Sequence, residues 1–300
     1  MTPEEICRYS PRLLTSADRR RYFDEGGLGV ADVVDGGWLD RCRDAVVRLQ
    51  EQSAGLAQSD AVFDLEPGHS ADNPRLRRIS SPCDQDSVFW ELLTDGPLGD
   101  LAADLLGPDV KFYQAKLNFK SPRGGTEVRW HQDAPFFPHT NHAVMTMGVY
   151  LDDCTLQHGP LEIIPGSHRG EIYSHYDAQG RWCGEISDAE AAQFTAVQSR
   201  VFHGAAGSVT VHNYRTVHGS KPNNADSARP LLLYVLSATD AMPYTAQPLK
   251  SRYEQAIVRG NPAACAHHEP GRFRLPPDWS GGYSSIFALQ QQEGAEAAAS

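Results

Sequence analysis

The densest concentration of chemistry-bearing residues in this chain is Trp130-His131-Gln132-Asp133. In an extended strand, side chains alternate between two faces, so His131 and Asp133 point one way and Gln132 the other. A neutral imidazole nitrogen and an anionic carboxylate oxygen then converge on one space, which suits a divalent metal ion. A third ligand must come from elsewhere. The candidate is His218, in Thr216-Val217-His218-Gly219-Ser220, late in the β-prone region and on another strand. Two histidines and one carboxylate on one face of an octahedral ion make the facial triad of non-haem Fe(II) oxygenases. Three coordination positions stay open for reactants, whereas a structural metal site would be closed.

Alone, a His-x-Asp pair is weak evidence, because a strand histidine is more often a hydrogen-bonded core or surface group. Arg229, eleven residues after His218, changes the balance. An iron dioxygenase that uses 2-oxoglutarate must hold a dicarboxylate. One carboxylate and the keto oxygen chelate the metal, and the distal carboxylate needs a cation. A guanidinium supplies a fixed two-pronged donor. A turn over 219–228 would return the next strand beside His218 and bring Arg229 within reach, and Ser220 would add a hydroxyl donor.

Such residues need rigid elements beneath them. From Val110 onward, short β-prone runs alternate with turn signals, predicting strands over 110–119, 127–133, 143–151, 161–164, 208–212, 215–218 and 231–238. The first third reads mostly helical. One helix begins at Ser16, read as its N-cap, and ends at Gly26-Gly27; an early strand follows over 29–34. Leu39, Cys42, Ala45, Val46 and Leu49 have helical spacing over 38–50. Two more helical segments fill 86–106, broken near Asp95-Gly96-Pro97. Residues 51–85 read as a long loop carrying Arg75-Leu76-Arg77-Arg78, and 169–200 as an insertion with an amphipathic helix near 188–197. Both are candidate lids. The tail, 290–300, reads as frayed. Many strands after a helical start predict a mainly β fold, a sandwich or barrel with flanking helices. One domain is expected: a mostly helical part with a lid loop over 1–109, a β core over 110–245, and a C-terminal extension over 246–300.

Composition excludes several classes. Lys and Arg total 27 against 38 Asp and Glu, a net charge of −11 over 300 residues. That balance lacks the footprint of a nucleic-acid binder. The longest apolar runs, such as 231–236, are far too short to cross a bilayer. The opening MTPEEICRYS lacks the apolar centre of a signal peptide, which argues against export by that route. Six cysteines without a Cys-x-x-Cys pair read as reduced thiols in a cytoplasm. Oligomeric state stays open.

With these residues in hand, the chain resembles the phytanoyl-CoA dioxygenase family, which includes ectoine hydroxylases, from about Tyr22 to Thr245. Tyr22-Phe23-Asp24-Glu25-Gly26-Gly27 is similar to that family's opening helix and turn. Arg75-Leu76-Arg77-Arg78 and Leu105-Leu106-Gly107-Pro108-Asp109-Val110 are similar to its helical section, and Pro165-Gly166-Ser167-His168 to its characteristic turn. The resemblance implies a double-stranded β-helix, or jelly-roll (cupin-like), fold and the use of Fe(II), 2-oxoglutarate and O2. It maps iron ligation onto His131, Asp133 and His218, and 2-oxoglutarate binding onto Arg229 and Ser220. It also carries over Gln114 and Asn118, amides at matching spacing near 2-oxoglutarate. Phe137 departs from the ectoine hydroxylases, which carry a tryptophan there, so ectoine is not assumed as substrate. The implied reaction is hydroxylation of an unactivated C–H bond in a small molecule, releasing succinate and CO2. Desaturation, epoxidation or cyclisation with the same cofactors is the alternative, and a non-catalytic binding or sensor protein the second. Asp133 argues against halogenation, since halogenating relatives have a small residue at that position.

Several residues carry plainer expectations. His203 and His212 read as structural or exposed. His139 and His142 read as a solvated loop at the rim of the site, and His267-His268 as solvated beside Cys265. His168 serves its turn. Arg75, Arg77 and Arg78 read as ion pairs with Asp64, Glu66 and Asp72 rather than as a greeting for an anionic substrate. Phe136 and Phe137 are candidates for the substrate pocket wall, with core packing a close rival.

Overall fold

Alternation along the strands sorts apolar from polar side chains onto two faces of one large sheet. In the computed structural model, which describes residues 1–281 together with Ile286 and Gln290, that sheet has eight strands. Numbered in chain order, its path runs β1 (Gly27–Val30), β9 (Val209–Asn213), β6 (Val144–Tyr150), β11 (Arg229–Ala238), β4 (Val110–Lys120), β3 (Leu76–Ser80) and β2 (Phe63–Leu65). β12 (Ile257–Arg259) also pairs with β4. A second sheet has four strands in the order β5 (Val128–His131), β10 (His218–Ser220), β7 (Leu161–Ile163) and β8 (Arg200–Phe202). Every pairing in both sheets is antiparallel.

On one face of the large sheet, Ala115, Leu117, Met145, Met147, Val149, Val211, Leu232, Tyr234 and Leu236 join the main hydrophobic core. The helices complete that core from outside. They are α1 (Pro3–Ile6), α2 (Ser16–Glu25), α3 (Gly36–Ser53), α4 (Pro82–Gln85), α5 (Ser87–Thr94) and α6 (Leu98–Leu106). Leu39, Cys42 and Leu49 of α3 meet Phe89 and Leu92 of α5 and Leu101 and Leu105 of α6 there. Burying each such Leu or Phe is worth about 1.5–3 kcal/mol, which fixes the helices to this face. The opposite face carries Gln114, Lys116, Asn118, Thr146, His212, Arg229, Leu231 and Leu233, all lining a cavity towards the small sheet. The fold is thus mainly β with flanking helices, and the cavity lies where the two sheets face each other.

Several boundaries differ from the sequence expectation, each for a local reason. The N-cap of α2 is Thr15, whose side chain accepts from Asp18 N while Asp18 reaches back to the Thr15 amide; Ser16 is already helical. Gly26 ends that helix at φ 82°, a left-handed conformation suited to glycine, and a Cβ there would lie 2.3 Å from His168. The early strand is Gly27–Val30 rather than 29–34. Residues 51–85 are not one loop: β2 and β3 lie within them and extend the large sheet, so the part over 1–109 is less helical than expected. The segment near 188–197 is a four-residue helix, α7 (Asp188–Ala191), followed by a 3-10 turn, Ala192–Ala196, that buries Phe194. The expectation for the tail falls on residues 291–300, outside the described residues. The six cysteines form no disulfide. Among the described residues, no helix is long and apolar enough to cross a membrane.

Candidate active site

His131 on β5 and His218 on β10 are direct cross-strand partners, which sets their rings side by side with centroids 4.1 Å apart. Each Nδ1 is 2.9 Å from a backbone carbonyl two residues earlier, Arg129 O for His131 and Thr216 O for His218. A carbonyl only accepts, so each Nδ1 carries the proton and each Nε2 is left with its lone pair. Burial pushes the His131 imidazole down to about 4 and holds His218 well below its usual range, so both are neutral near pH 7.

β5 ends at His131, and Asp133 lies in the turn beyond it rather than on the strand. The two side chains still share a direction, because the residue between them is held on the other side. The Gln132 amide nitrogen donates to Glu171 O at 2.9 Å and Arg215 O at 2.6 Å, while its oxygen accepts from Tyr173 N at 2.8 Å. The backbone N–H of Gln132 donates to His175 Nε2 at 3.0 Å. The stretch 171–175 of the insertion is therefore fastened to the turn that carries Asp133. His175, fully buried, was not foreseen, and nothing in its sequence surroundings signals it.

One ligand atom each from His131, Asp133 and His218 lies within 4.8 Å of the others, all three residues being buried. Asp133 Oδ1 is 4.0 Å from His218 Nε2. Asp133 Oδ2 turns to the large sheet, accepting from Thr146 Oγ1 at 2.5 Å and from His212 Nε2 at 3.3 Å. Thr146 and His212 are register partners on β6 and β9, so one cross-strand pair grips one carboxylate oxygen. Burial opposes ionisation of Asp133, but the hydrogen bond from His212 and the charge of Lys116 outweigh it and hold the carboxyl well below its usual range. Two lone pairs and one free carboxylate oxygen thus face a common point, a donor set that fits a divalent metal with open positions.

His212 corrects the expectation that grouped it with His203. His203 is exposed, whereas His212 is buried against Asp133 and lines the cavity. Outer partners of this kind typically tune metal affinity by about 10–100-fold. We expect His212→Ala to weaken Fe(II) binding about tenfold without abolishing it. Anaerobic metal titration would check this, and an unchanged affinity would remove His212 from the orienting shell.

Arg229 opens β11, and Lys120 is its register partner on β4. Arg229 is 4% exposed; its Nη1 donates to Gly159 O at 3.0 Å, and its Nε has no hydrogen-bond partner. A buried guanidinium nitrogen without an acceptor suits an incoming carboxylate. Lys120 donates its amine to the Ser220 and Lys221 carbonyls, and burial, aided by Arg229, pushes it down to about 6. Two adjacent cations are thereby reduced to one near neutral pH. Ser220 lines the same cavity from β10, and Gln114 and Asn118 from β4. Gln114 Oε1 has no hydrogen-bond partner, while Asn118 Oδ1 accepts from Arg78 Nε at 3.1 Å.

The basic run is split by strand alternation. Arg75 pairs with Glu66 and Arg77 with Asp64, as expected of ion pairs, but Asp72 takes no part. Arg78 instead is 2% exposed and lines the cavity. Lys116, midway between Gln114 and Asn118 on the same face of β4, also lines it and was not singled out by the sequence. Phe136 and Phe137 are buried at the cavity wall, Phe136 edge-on to His131, His175 and Trp182, so wall and core are one role here. His139 is buried rather than solvated, its Nδ1 2.7 Å from Phe137 O, and His142 meets the Tyr214 hydroxyl at 3.0 Å. Neither lines this cavity. His168 serves its turn through Phe23 O at 3.0 Å, and His267 and His268 are exposed.

Two facing antiparallel sheets with a His-Asp-His cluster between them define the architecture of non-haem iron oxygenases of the double-stranded β-helix type. The chain belongs to the phytanoyl-CoA dioxygenase family, whose model matches residues 22–231. It is 30% identical over 244 residues to a protein of Stutzerimonas stutzeri named a probable alpha-ketoglutarate-dependent hypophosphite dioxygenase, covering 81% of this chain and 85% of the relative. It is also 30% identical over 235 residues to the L-proline trans-4-hydroxylase of Streptomyces griseoviridis, covering 71% and 86%. Among solved structures, EctD from S. alaskensis, determined with 2-oxoglutarate and 5-hydroxyectoine, superposes with a TM-score of 0.64 at 22% identity, covering 92% of each chain. The non-haem alpha-ketoglutarate-dependent carbocyclase SnoK superposes with a TM-score of 0.63 at 18% identity, covering 78% of this chain and 89% of that one. This protein is an enzyme, a dioxygenase whose cofactor is iron and whose cosubstrates are 2-oxoglutarate and O2.

Proposed function

We propose that the protein hydroxylates an unactivated C–H bond of a small molecule, with His131, Asp133 and His218 as iron ligands. The observation that carries this reading is the fixed tautomer of both histidines, which leaves two lone pairs and one carboxylate oxygen aimed at one point. Arg229, with its unpartnered Nε, takes the distal carboxylate of 2-oxoglutarate, assisted by the Ser220 hydroxyl. Gln114 and Asn118 flank the cosubstrate from β4. When bound, iron with 2-oxoglutarate supplies oxygen activation, converting the cosubstrate to succinate and CO2.

The chain's own residues do the rest. Thr146 and His212 hold Asp133 ionised and oriented. Phe136, Phe137, Leu231 and Leu233 present apolar surface that excludes water and holds the C–H bond to be cut. The insertion over 169–200 is fastened to the turn that carries Asp133, through Gln132. Two relatives are named for a hypophosphite and a proline substrate, which supports a small molecule as the class.

Succinate release from 2-oxoglutarate by the Fe(II)-loaded protein is the direct test, run with and without a panel of small acids and amines. Slow release alone, stimulated by one member that gains a single oxygen by mass spectrometry, is the expected result. No release with any member would overturn the reading, and loss of two hydrogens in place of an oxygen gain would favour desaturation.

A further inference from the structure

The geometry points to an anion-binding position on β4: Lys116 receives a carboxylate, phosphonate or similar anionic group of the substrate. This rests on the reading of the site as one for iron and 2-oxoglutarate, and deepens it. Positions 114, 116 and 118 share one face of β4, and all three line the cavity. Lys116 therefore stands inside the site, between two amides, and not on the protein's surface. Its register partners, Leu233 on β11 and Ser80 on β3, are uncharged, so the sheet itself provides no counter-ion.

The charges of the site can be assigned group by group. Lys116 carries an ammonium at the end of its chain, whose charge burial opposes and the Asp133 carboxylate favours. Asp133 is the one carboxylate among the described residues that line the cavity. In the loaded enzyme that carboxylate faces the metal, and Arg229 faces the distal carboxylate of the cosubstrate. Iron(II) and 2-oxoglutarate carry opposite double charges and cancel. Lys116 is then left with a positive charge in a largely apolar cavity, where an unneutralised charge is strongly disfavoured. Arg78 lines the same cavity and adds positive potential from β3. A neutral or cationic substrate would leave this charge uncompensated, whereas an anionic group neutralises it and is held by a charge-assisted hydrogen bond. Gln114 stands beside Lys116 on the same face of β4, and its side-chain NH2, not its oxygen, is the group able to donate to an anion.

The test uses methylphosphonate, propionate and the neutral propionamide as probes, titrated anaerobically into the Fe(II)·2-oxoglutarate enzyme. Binding is read from broadening of the probe methyl resonances. The expected result is that at least one acid binds about tenfold or more tighter than the amide. Lys116→Met should bring the acid to the amide's level, while Lys116→Arg keeps most of the preference. The affinity for 2-oxoglutarate, followed by its charge-transfer absorbance, should change by less than about twofold in both variants. Equal binding of acids and amide by the wild type, or an undiminished preference in Lys116→Met, would overturn the proposal. So would a large loss of 2-oxoglutarate affinity in Lys116→Met, which would assign Lys116 to the cosubstrate. Absence of the charge-transfer band in the wild type would instead sink the reading of the site itself. The same three probes, titrated into the metal-free protein and its Lys116→Met variant by saturation-transfer NMR, would then decide the anion position alone.

Discussion

Asp133→Ala is expected to abolish stoichiometric Fe(II) binding and all 2-oxoglutarate turnover. The change removes the only anionic member of the cluster and leaves two neutral imidazoles to hold a divalent ion. Removing an outer partner typically costs about 10–100-fold in metal affinity, and a direct anionic ligand is worth more than that. The backbone of the turn should persist, because Gln132 fastens it through four hydrogen bonds that do not involve the Asp133 side chain. The fold can therefore be checked independently by circular dichroism and thermal melting. Iron content by metal analysis and succinate by mass spectrometry give the answer. A variant that retains full iron and full turnover would show that the metal is held elsewhere. Set against His212→Ala, the pair separates a ligand from its holder: the first should lose the metal, the second only weaken it.

Arg229→Met is expected to raise the dissociation constant for 2-oxoglutarate by a factor of roughly thirty to several thousand. Truncating one partner of a buried charge pair costs on the order of 2–5 kcal/mol, most of it from leaving the other charge without its counter-ion. Arg229 is fully enclosed and its Nε awaits an acceptor, so the distal carboxylate would enter a site with no bulk water to replace the guanidinium. Ser220→Ala should cost less, about 0.5–3 kcal/mol, since a hydroxyl offers one hydrogen bond and no charge. Iron binding should survive both changes, because neither side chain belongs to the metal cluster. Arg229→Lys should fall between, keeping the charge and losing the two-pronged geometry. Anaerobic titration followed by the metal-to-ligand charge-transfer absorbance gives the affinities. An unchanged value in Arg229→Met would mean that the dicarboxylate is held by another cation, and Arg78, which lines the same cavity, would be the first to test.

Local chemistry made much of this protein legible from its residues. Helical spacing of Leu39, Cys42, Ala45, Val46 and Leu49 marked the face of α3 that is buried, because an amphipathic stripe is a property of neighbouring residues alone. Most strands of the core were recognisable for the same reason, to within a few residues at their ends, but the one expected over 215–218 was not: a turn occupies 214–216 and the strand is His218–Ser220. His131, Asp133, His218 and Arg229 could be proposed together because a metal and a dicarboxylate demand particular atom types, which are rare enough to be found by type and spacing. What the residues alone left undecided was which face of each strand meets the cavity. Alternation places Gln114, Lys116 and Asn118 on one face, yet gives no sign whether that face meets helices or the second sheet. Only packing against α3, α5 and α6 settles it, by committing the Leu117 side of β4 to the outer core. The same holds for Arg78, which differs from its ion-paired neighbour Arg77 only in strand parity, and for His212, whose partner Thr146 is set by the register of β6 with β9. His175 reaches the turn at Gln132 from 43 residues away in the chain, a contact that exists only once the insertion has folded back over the site. Residue type determines which chemistry is available, and long-range register and sheet facing decide which of those residues share a cavity, because only those contacts join segments that the chain itself keeps apart.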